Sequence, residues 1–368
     1  MKPEPVQVEF VGVTDPGLTR DRNEDWFAVG DLDGGERAEA SQVRRASGAR
    51  GALFVVCDGM GGVVGGEVAS KLAGETVWHE MLVAHPTGER EVFARQLRRA
   101  IRAAHRSVAD EADARPELRG MGTTVSAAGL AGTALLVAQV GDSRAYIERA
   151  GTLTQVTRDQ SVVSALVHAG QLSEMEARLS EKRSLILQAL GTGDDVDVAI
   201  SLVELRRGDR LLLCSDGLHG PVNDEALRHT LSQHAELDRA AQALVELSRQ
   251  AGAPDNVTVI LARFEGERLP VADADDRPRF TELDPNEEGA SALTNTSYVA
   301  RRLAARAGLR ADSMPPSIPA TGQHRAVQLP QEPARVALAR GSRLGLLAWV
   351  IAAAIAVGIL ALLFGDLV

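Results

Sequence analysis

The chain has 368 residues and 45% of them are apolar, enough for one large folded domain with appendages. A formal net charge of −10 and only 3% aromatic residues argue against polyanion binding and against base stacking on single-stranded nucleic acid. Cys57 and Cys214 are the two cysteines. The count would allow a disulfide, but small buried thiols in a reducing compartment explain them more simply.

The first ten residues, MKPEPVQVEF, lack a cationic start followed by an apolar run, so no signal peptide is expected. From there to about residue 264, strand-like and helix-like patterns alternate. β-branched or apolar runs bounded by Gly, Asp or Asn predict strands at 6–13, 52–57, 123–130, 133–140, 144–148, 196–204, 210–214 and 256–263. Tight turns are expected at 131–133 and at 150–151, and strands joined so closely imply antiparallel pairing. Apolar residues at three-to-four spacing predict helices over 67–83, 90–113 and 238–250. A shorter helical region is expected over 160–179, where Ser173 and Glu176 have capping-box spacing.

The remainder is different material. Residues 265–288 are acidic, and 298–343 carry eight Arg against Asp312 and Glu332, with five prolines. Residues 265–343 read as a flexible linker, with at most a short helix near 299–307. Residues 344–364 contain no charged residue, and at ~1.5 Å rise they make roughly 31 Å of helix, close to the thickness of a bilayer core. A transmembrane tail anchor is expected there, the alternative being a helix buried against the domain. Arg335, Arg340 and Arg343 precede it, which predicts a single-pass protein of the inner membrane with its folded part in the cytoplasm and residues 365–368 outside. The basic end of the linker would lie on the anionic leaflet.

Chemistry gathers on acids beside core-like strands: Glu24 and Asp25 in RDRNEDWF, Asp58 in CDGMGG, Asp142 in VGDSRAY, Asp216 in CSDGL and Asp255 in PDNVTVI. Taken singly, each is an ordinary turn or cap aspartate. A buried carboxylate needs a partner, and few lysines lie near these motifs. An all-oxygen set without His or Cys at ligand spacing favours Mg²⁺ or Mn²⁺ over Zn²⁺. GMGGVVGG is neither a dinucleotide fingerprint nor a P-loop, since Val64 replaces a glycine and no Lys follows.

GLTRDRNED, VVCDGMGG with GGEVAS, GMGTTVSAA, VGDSRAY, LLLCSDGL and PDNVTVI stand in the order and approximate spacing of the PP2C-like (PPM) metal-dependent serine/threonine phosphatases, and the chain resembles their bacterial branch over about 6–263. The resemblance implies an α+β fold, a four-layer α/β/β/α sandwich of two antiparallel sheets flanked by helix pairs, with a metal cleft at one edge. It implies Asp25, Asp58, Asp216 and Asp255 as core metal ligands, Glu24 supporting through a water, Gly59 through its carbonyl, and Asp142 at a third, weaker ion. Arg20 resembles the phosphate-binding arginine, with Arg22 as competitor. The chemistry implied is hydrolysis of phosphoserine and phosphothreonine by direct attack of a water bridged between two Mn²⁺ or Mg²⁺ ions. The implied partners are phosphorylated proteins, including Hanks-type Ser/Thr kinases that the enzyme would counteract, acting from a monomeric catalytic domain. The alternative is a catalytically silent, membrane-tethered module that binds phosphoproteins.

The chain departs from that pattern in places. Met60 stands where eukaryotic members have a histidine, Val63 where bacterial relatives often do, and Gln160 where His is usual; SEKRS replaces the common His-Pro-Arg-Asn. His219, near the cleft, is either a proton donor or a loop histidine. His79, His85 and His105 read as exposed.

Overall fold

The alternation of side chains along one strand sets the architecture. In the stretch Ala52–Met60, Leu53, Val55 and Cys57 join one apolar cluster, whereas Phe54 and Val56 join another. Successive side chains of a strand face opposite sides, so a run buried throughout must be covered on both faces. The computed structural model describes residues 6–35, 37–38, 44–46, 51–62, 64–84, 89–273 and 275–283.

In chain order the strands begin with β1 (Gln7–Asp15), β2 (Asp25–Asp31), β3 (Arg37–Ala38), β4 (Arg44–Ala46) and β5 (Ala52–Met60). Next come β6 (Gly122–Thr123), β7 (Val125–Ala131), β8 (Ala134–Val140), β9 (Arg144–Arg149) and β10 (Thr152–Gln155). β11 (Ala199–Glu204), β12 (Arg210–Cys214), β13 (Val257–Glu265) and β14 (Phe280–Leu283) complete the set. The helices are α1 (Gly65–Val83), α2 (Arg90–Ala114), α3 (Val162–His168), α4 (Glu174–Leu179), α5 (Asp216–His219), α6 (Asp224–Gln233) and α7 (Leu237–Gln250).

One sheet runs β10-β9-β12-β13-β1-β4; the other runs β14-β11-β8-β7-β5-β2-β3, with β6 on β5. The paired strands are antiparallel. Three apolar layers separate four structural ones. Ala69, Ala73 and Val77 of α1 and Leu97 and Ile101 of α2 pack on Leu53 and Val55. Phe10, Phe54, Leu213, Ile260 and Phe264 fill the space between the sheets, with Phe54 edge-on to Phe10 and Phe264. Leu227 and Leu231 of α6 and Ala241 and Leu244 of α7 cover Leu212 and Leu261. Each such large side chain contributes about 1.5–3 kcal/mol on burial. Cys57 and Cys214 are free and lie in different outer layers, so no disulfide links them.

Several sequence expectations change. Strands β2 and β10 and helix α6 arise where none was expected. The helical region at 160–179 is two helices broken at Ala169–Gly170, with the Ser173–Glu176 capping box in place at the second. The fold also continues past 264. β14 pairs with β11 inside the stretch read as linker, and Asp276 bonds both Arg149 (3.0 Å) and Arg206 (2.7 Å). Residues 284–368, with the helix expected near 299–307 and the apolar segment 344–364, lie outside the described residues; among those described, no helix is long and apolar enough to cross a membrane.

Candidate metal centre

At one end of the space between the sheets, the inward-facing positions change from apolar to polar. On β2, Phe27 and Val29 give way to Asp25; on β5, Phe54 and Val56 give way to Asp58. The register sets Asp25 opposite Asp58. From the other sheet, β12 continues inward from Leu211 and Leu213 to Ser215, and β13 reaches Thr258 two positions before Ile260. These hydroxyls cross the layer: Ser215 Oγ and Thr258 Oγ1 each donate to Asp25 Oδ2 at 2.7 Å. Asp216 follows at the start of α5, where Gly217 packs on the Asn256 backbone.

The Asp58 backbone is clamped from β6 and from the residue that joins it to β7. Thr124 Oγ1 accepts from its N–H at 3.1 Å, and Thr123 Oγ1 donates to its carbonyl at 2.8 Å. A Cβ on Gly59 would lie 2.1 Å from Gly66 O and 2.6 Å from Glu24 O. Only glycine lets β5 pass between the Glu24 loop and the start of α1.

Burial drives the electrostatics. Desolvation, with repulsion from Asp216 and Asp255 and despite the two hydroxyl donors, pushes the Asp25 carboxyl up to about 8. Asp216 rises to about 6 through desolvation and the charge of Asp255. Desolvation also raises Asp58, which Asp25, Asp216 and Asp142 repel, and Asp142, which Asp216 and Asp159 repel. Burial raises Glu24 against the pull of Arg20. Carboxylates crowded in a low dielectric hold protons unless a cation neutralises them.

The donor set fits a hard divalent ion. Asp25 Oδ1 and Asp216 Oδ1 are buried without a hydrogen-bond partner, aimed where only a proton or a cation would satisfy them. As the side chains stand, no group of three or more His, Cys, Asp or Glu among the described residues is set to hold an ion. The side chains are turned to other partners: Arg20 Nη2 donates to Asp255 Oδ2 at 2.7 Å, and Asp25 is held by Ser215 and Thr258.

Of the two candidate arginines, Arg20 reaches the acids, with half its side chain exposed. Arg22 brings its carbonyl, which accepts from Asn256 Nδ2 at 2.8 Å. Asp142 is buried in the β8–β9 turn. Gln160 Oε1 accepts from Gly141 N–H at 2.8 Å, and Gln160 N–H donates to Gly141 O at 2.9 Å, so Gln160 braces the turn and is walled off in the interior.

His219 is buried and turned to the Asp142 backbone. Burial lowers its pKa to about 3, and its Nε2 donates to Asp142 O at 3.0 Å, the only role open to a ring nitrogen facing a carbonyl. His105 is buried rather than exposed, and its Nδ1 accepts from Gly191 N–H at 3.2 Å. His79 is exposed as expected, and Val63 and His85 lie outside the described residues. Sequence reading missed Ser215, Thr258, Thr124 and Asn256. Ser215, Thr258 and Asn256 stand within three residues of Asp216 or Asp255, a pattern too common to single out, and Thr124 has no acid beside it in the sequence.

A two-sheet sandwich with buried, mutually repelling carboxylates gathered at one edge has the donor chemistry of a hard-cation centre. The family model for protein phosphatase 2C matches residues 39–261. The serine/threonine protein phosphatase PstP of Mycobacterium tuberculosis is 39% identical over 255 residues, 69% of this chain and 45% of that protein, so the chain spans about half the length of that relative. The serine/threonine phosphatase Stp of Listeria monocytogenes is 34% identical over 212 residues, 57% of this chain and 83% of that protein. The solved catalytic domain of PstP in complex with two manganese ions is 36% identical with a TM-score of 0.59, covering 71% of this chain and 99% of that one. The chain belongs to the protein phosphatase 2C family, whose cofactor is Mn²⁺ or Mg²⁺.

Proposed function

We propose that the chain hydrolyses phosphoserine and phosphothreonine in proteins at a Mn²⁺ or Mg²⁺ centre formed by Asp25, Asp58, Asp216 and Asp255. Glu24 and the Gly59 carbonyl would support the ions, and Asp142 would serve a third. The carrying observation is the buried pair of unpartnered oxygens, Asp25 Oδ1 and Asp216 Oδ1, among mutually repelling carboxylates. The bound ions supply a Lewis acid that activates water and neutralises phosphate charge. Ser215 and Thr258 hold Asp25 Oδ2 and leave Asp25 Oδ1 free for an ion. The Arg20 guanidinium, released from Asp255, grips two phosphate oxygens as a planar fork, which a lysine could not do. His219 stays neutral and holds the Asp142 turn.

The deciding measurement is turnover of a phosphothreonine peptide by the full chain with Mn²⁺. Asp216→Asn should lower it by about a hundredfold or more, the scale of losing a group that holds a catalytic metal. Binding of the peptide with no turnover at any Mn²⁺ concentration would favour the silent phosphoprotein-binding module.

The finer reading places this activity at the inner face of the membrane, opposing Ser/Thr kinases, with residues 344–364 as anchor. It is supported by the uncharged length of that segment and the arginines before it. Removing residues 344–368 should leave peptide turnover within about twofold while the protein moves from the membrane to the soluble fraction. Full activity retained at the membrane would refute the anchor.

A further inference from the structure

The loop between β1 and β2, residues 16–24, carries Arg20 and Glu24, yet Arg20 itself is half exposed and bonds only through the tip of its side chain to Asp255. Something else must place its backbone. Asn256, buried beside Asp255, uses its whole amide on this loop. Its Nδ2 donates to Pro16 O at 2.9 Å and to Arg22 O at 2.8 Å, and its Oδ1 accepts from Glu24 N–H at 2.8 Å. These bonds bracket Arg20 on both sides. Within the bracket, Leu18 N–H also donates to Ala253 O at 3.0 Å.

A primary amide is the smallest side chain with two donors and an acceptor in one plane. No hydroxyl or carboxylate makes the same three bonds. Asn256 inherits its own position from β13, because Val257 starts the strand that pairs with β1 over its full length. The loop is therefore referenced to the same strand that carries Asp255.

We propose that Asn256 is the positioning residue of the phosphate-binding loop, holding Arg20 at a fixed reach from the metal acids; this rests on the reading of Arg20 as the phosphate ligand. Aspartate at this position keeps the acceptor for Glu24 N–H but sets an oxygen against two carbonyls, so the bracket opens at Pro16 and Arg22. Alanine removes all three bonds without adding charge. The loss falls on phosphate binding in ground state and transition state alike, and it appears in KM more than in kcat.

The test uses the Mn²⁺-loaded full chain, with inorganic phosphate as competitive inhibitor and a phosphothreonine peptide as substrate. Asn256→Asp and Asn256→Ala should each raise KM and the phosphate inhibition constant by about tenfold, with kcat changed less than about threefold, as expected for lost uniform binding. Amide exchange over residues 16–24 should speed up by at least about tenfold, with β5 and β12 unchanged, as local opening without global unfolding requires. In an Arg20→Ala background the Asn256 change should add less than about twofold, since a residue acting through another is not additive with it. Multiplying effects in the double variant, or unchanged loop exchange, would overturn the proposal. So would Arg20→Ala raising the inhibition constant while neither Asn256 variant does. If Arg20→Ala alone leaves phosphate inhibition unchanged, the reading of Arg20 fails and takes the proposal with it, an outcome distinguishable because it needs no Asn256 variant.

Discussion

The acids of the cleft are held above their ordinary pKa by burial and by one another, and this has a consequence for stability. Asp25 moves from 3.8 to about 8 and Asp216 from 3.8 to about 6. Between those limits the folded chain keeps protons that the unfolded chain has released, so stability falls as pH rises. Chelated protein should therefore melt at a lower temperature at pH 8 than at pH 5.5. Saturating Mn²⁺ should reverse the slope, because ion binding favours the ionised carboxylates and the folded state. Calorimetry across that range, with and without chelator, checks the sign. The identity of these acids was legible from their place beside apolar runs. Their convergence was not, because Asp25 lies 190 residues from Ser215 and 233 from Thr258, its two hydroxyl partners. His105 was read as exposed for a related reason: burial depends on what packs over a residue, and its flanking sequence does not show that.

Among the elements, long periodic segments were readable and short ones were not. α2 and α7 carry repeated apolar positions over many turns, and the structure places both close to their expected bounds. β2 escaped notice because its apolar run, 26–29, is only four residues long between Asp25 and Gly30, yet its pairing with β5 creates the Asp25–Asp58 neighbourhood. α6 had a signal that went unused, since Asn223 caps it by accepting from Ala226 N–H at 2.9 Å. How closely α1 sits on β2 depends on one residue. A Cβ on Gly74 would come within 2.0 Å of the Trp26 ring. Gly74→Val should destabilise the fold by at least about 1–3 kcal/mol, the scale of overpacking, even though valine by itself suits a helix no worse than glycine. Urea denaturation gives the value; an unchanged midpoint would mean that the helix shifts freely on the sheet.

For the whole molecule, the folded boundary lies further along the chain than composition suggested. Acidic, proline-containing sequence after 264 reads as linker, but Asp276 joins Arg149, Arg206 and the fully buried Asp209 in one ion-pair network. Phe280 and Leu283 pack on separate apolar layers, one on each side of the second sheet. A chain ending at 264 should be less stable than one ending at 283 by about 2–4 kcal/mol, combining a broken buried pair with lost apolar burial. Comparing the two urea midpoints tests this, and equal midpoints would return the segment to the linker.

Local sequence by itself determined the strand and helix periods, the acids at their ends and the oxygen-only chemistry, because side-chain alternation and capping act over a few residues. Tertiary structure alone decided which acids share an edge, that Ser215 and Thr258 orient Asp25, that Asn256 staples the Arg20 loop, and where folding ends. Those outcomes depend on register between strands far apart in the chain and on stacking of the two sheets, which only packing of the whole core selects.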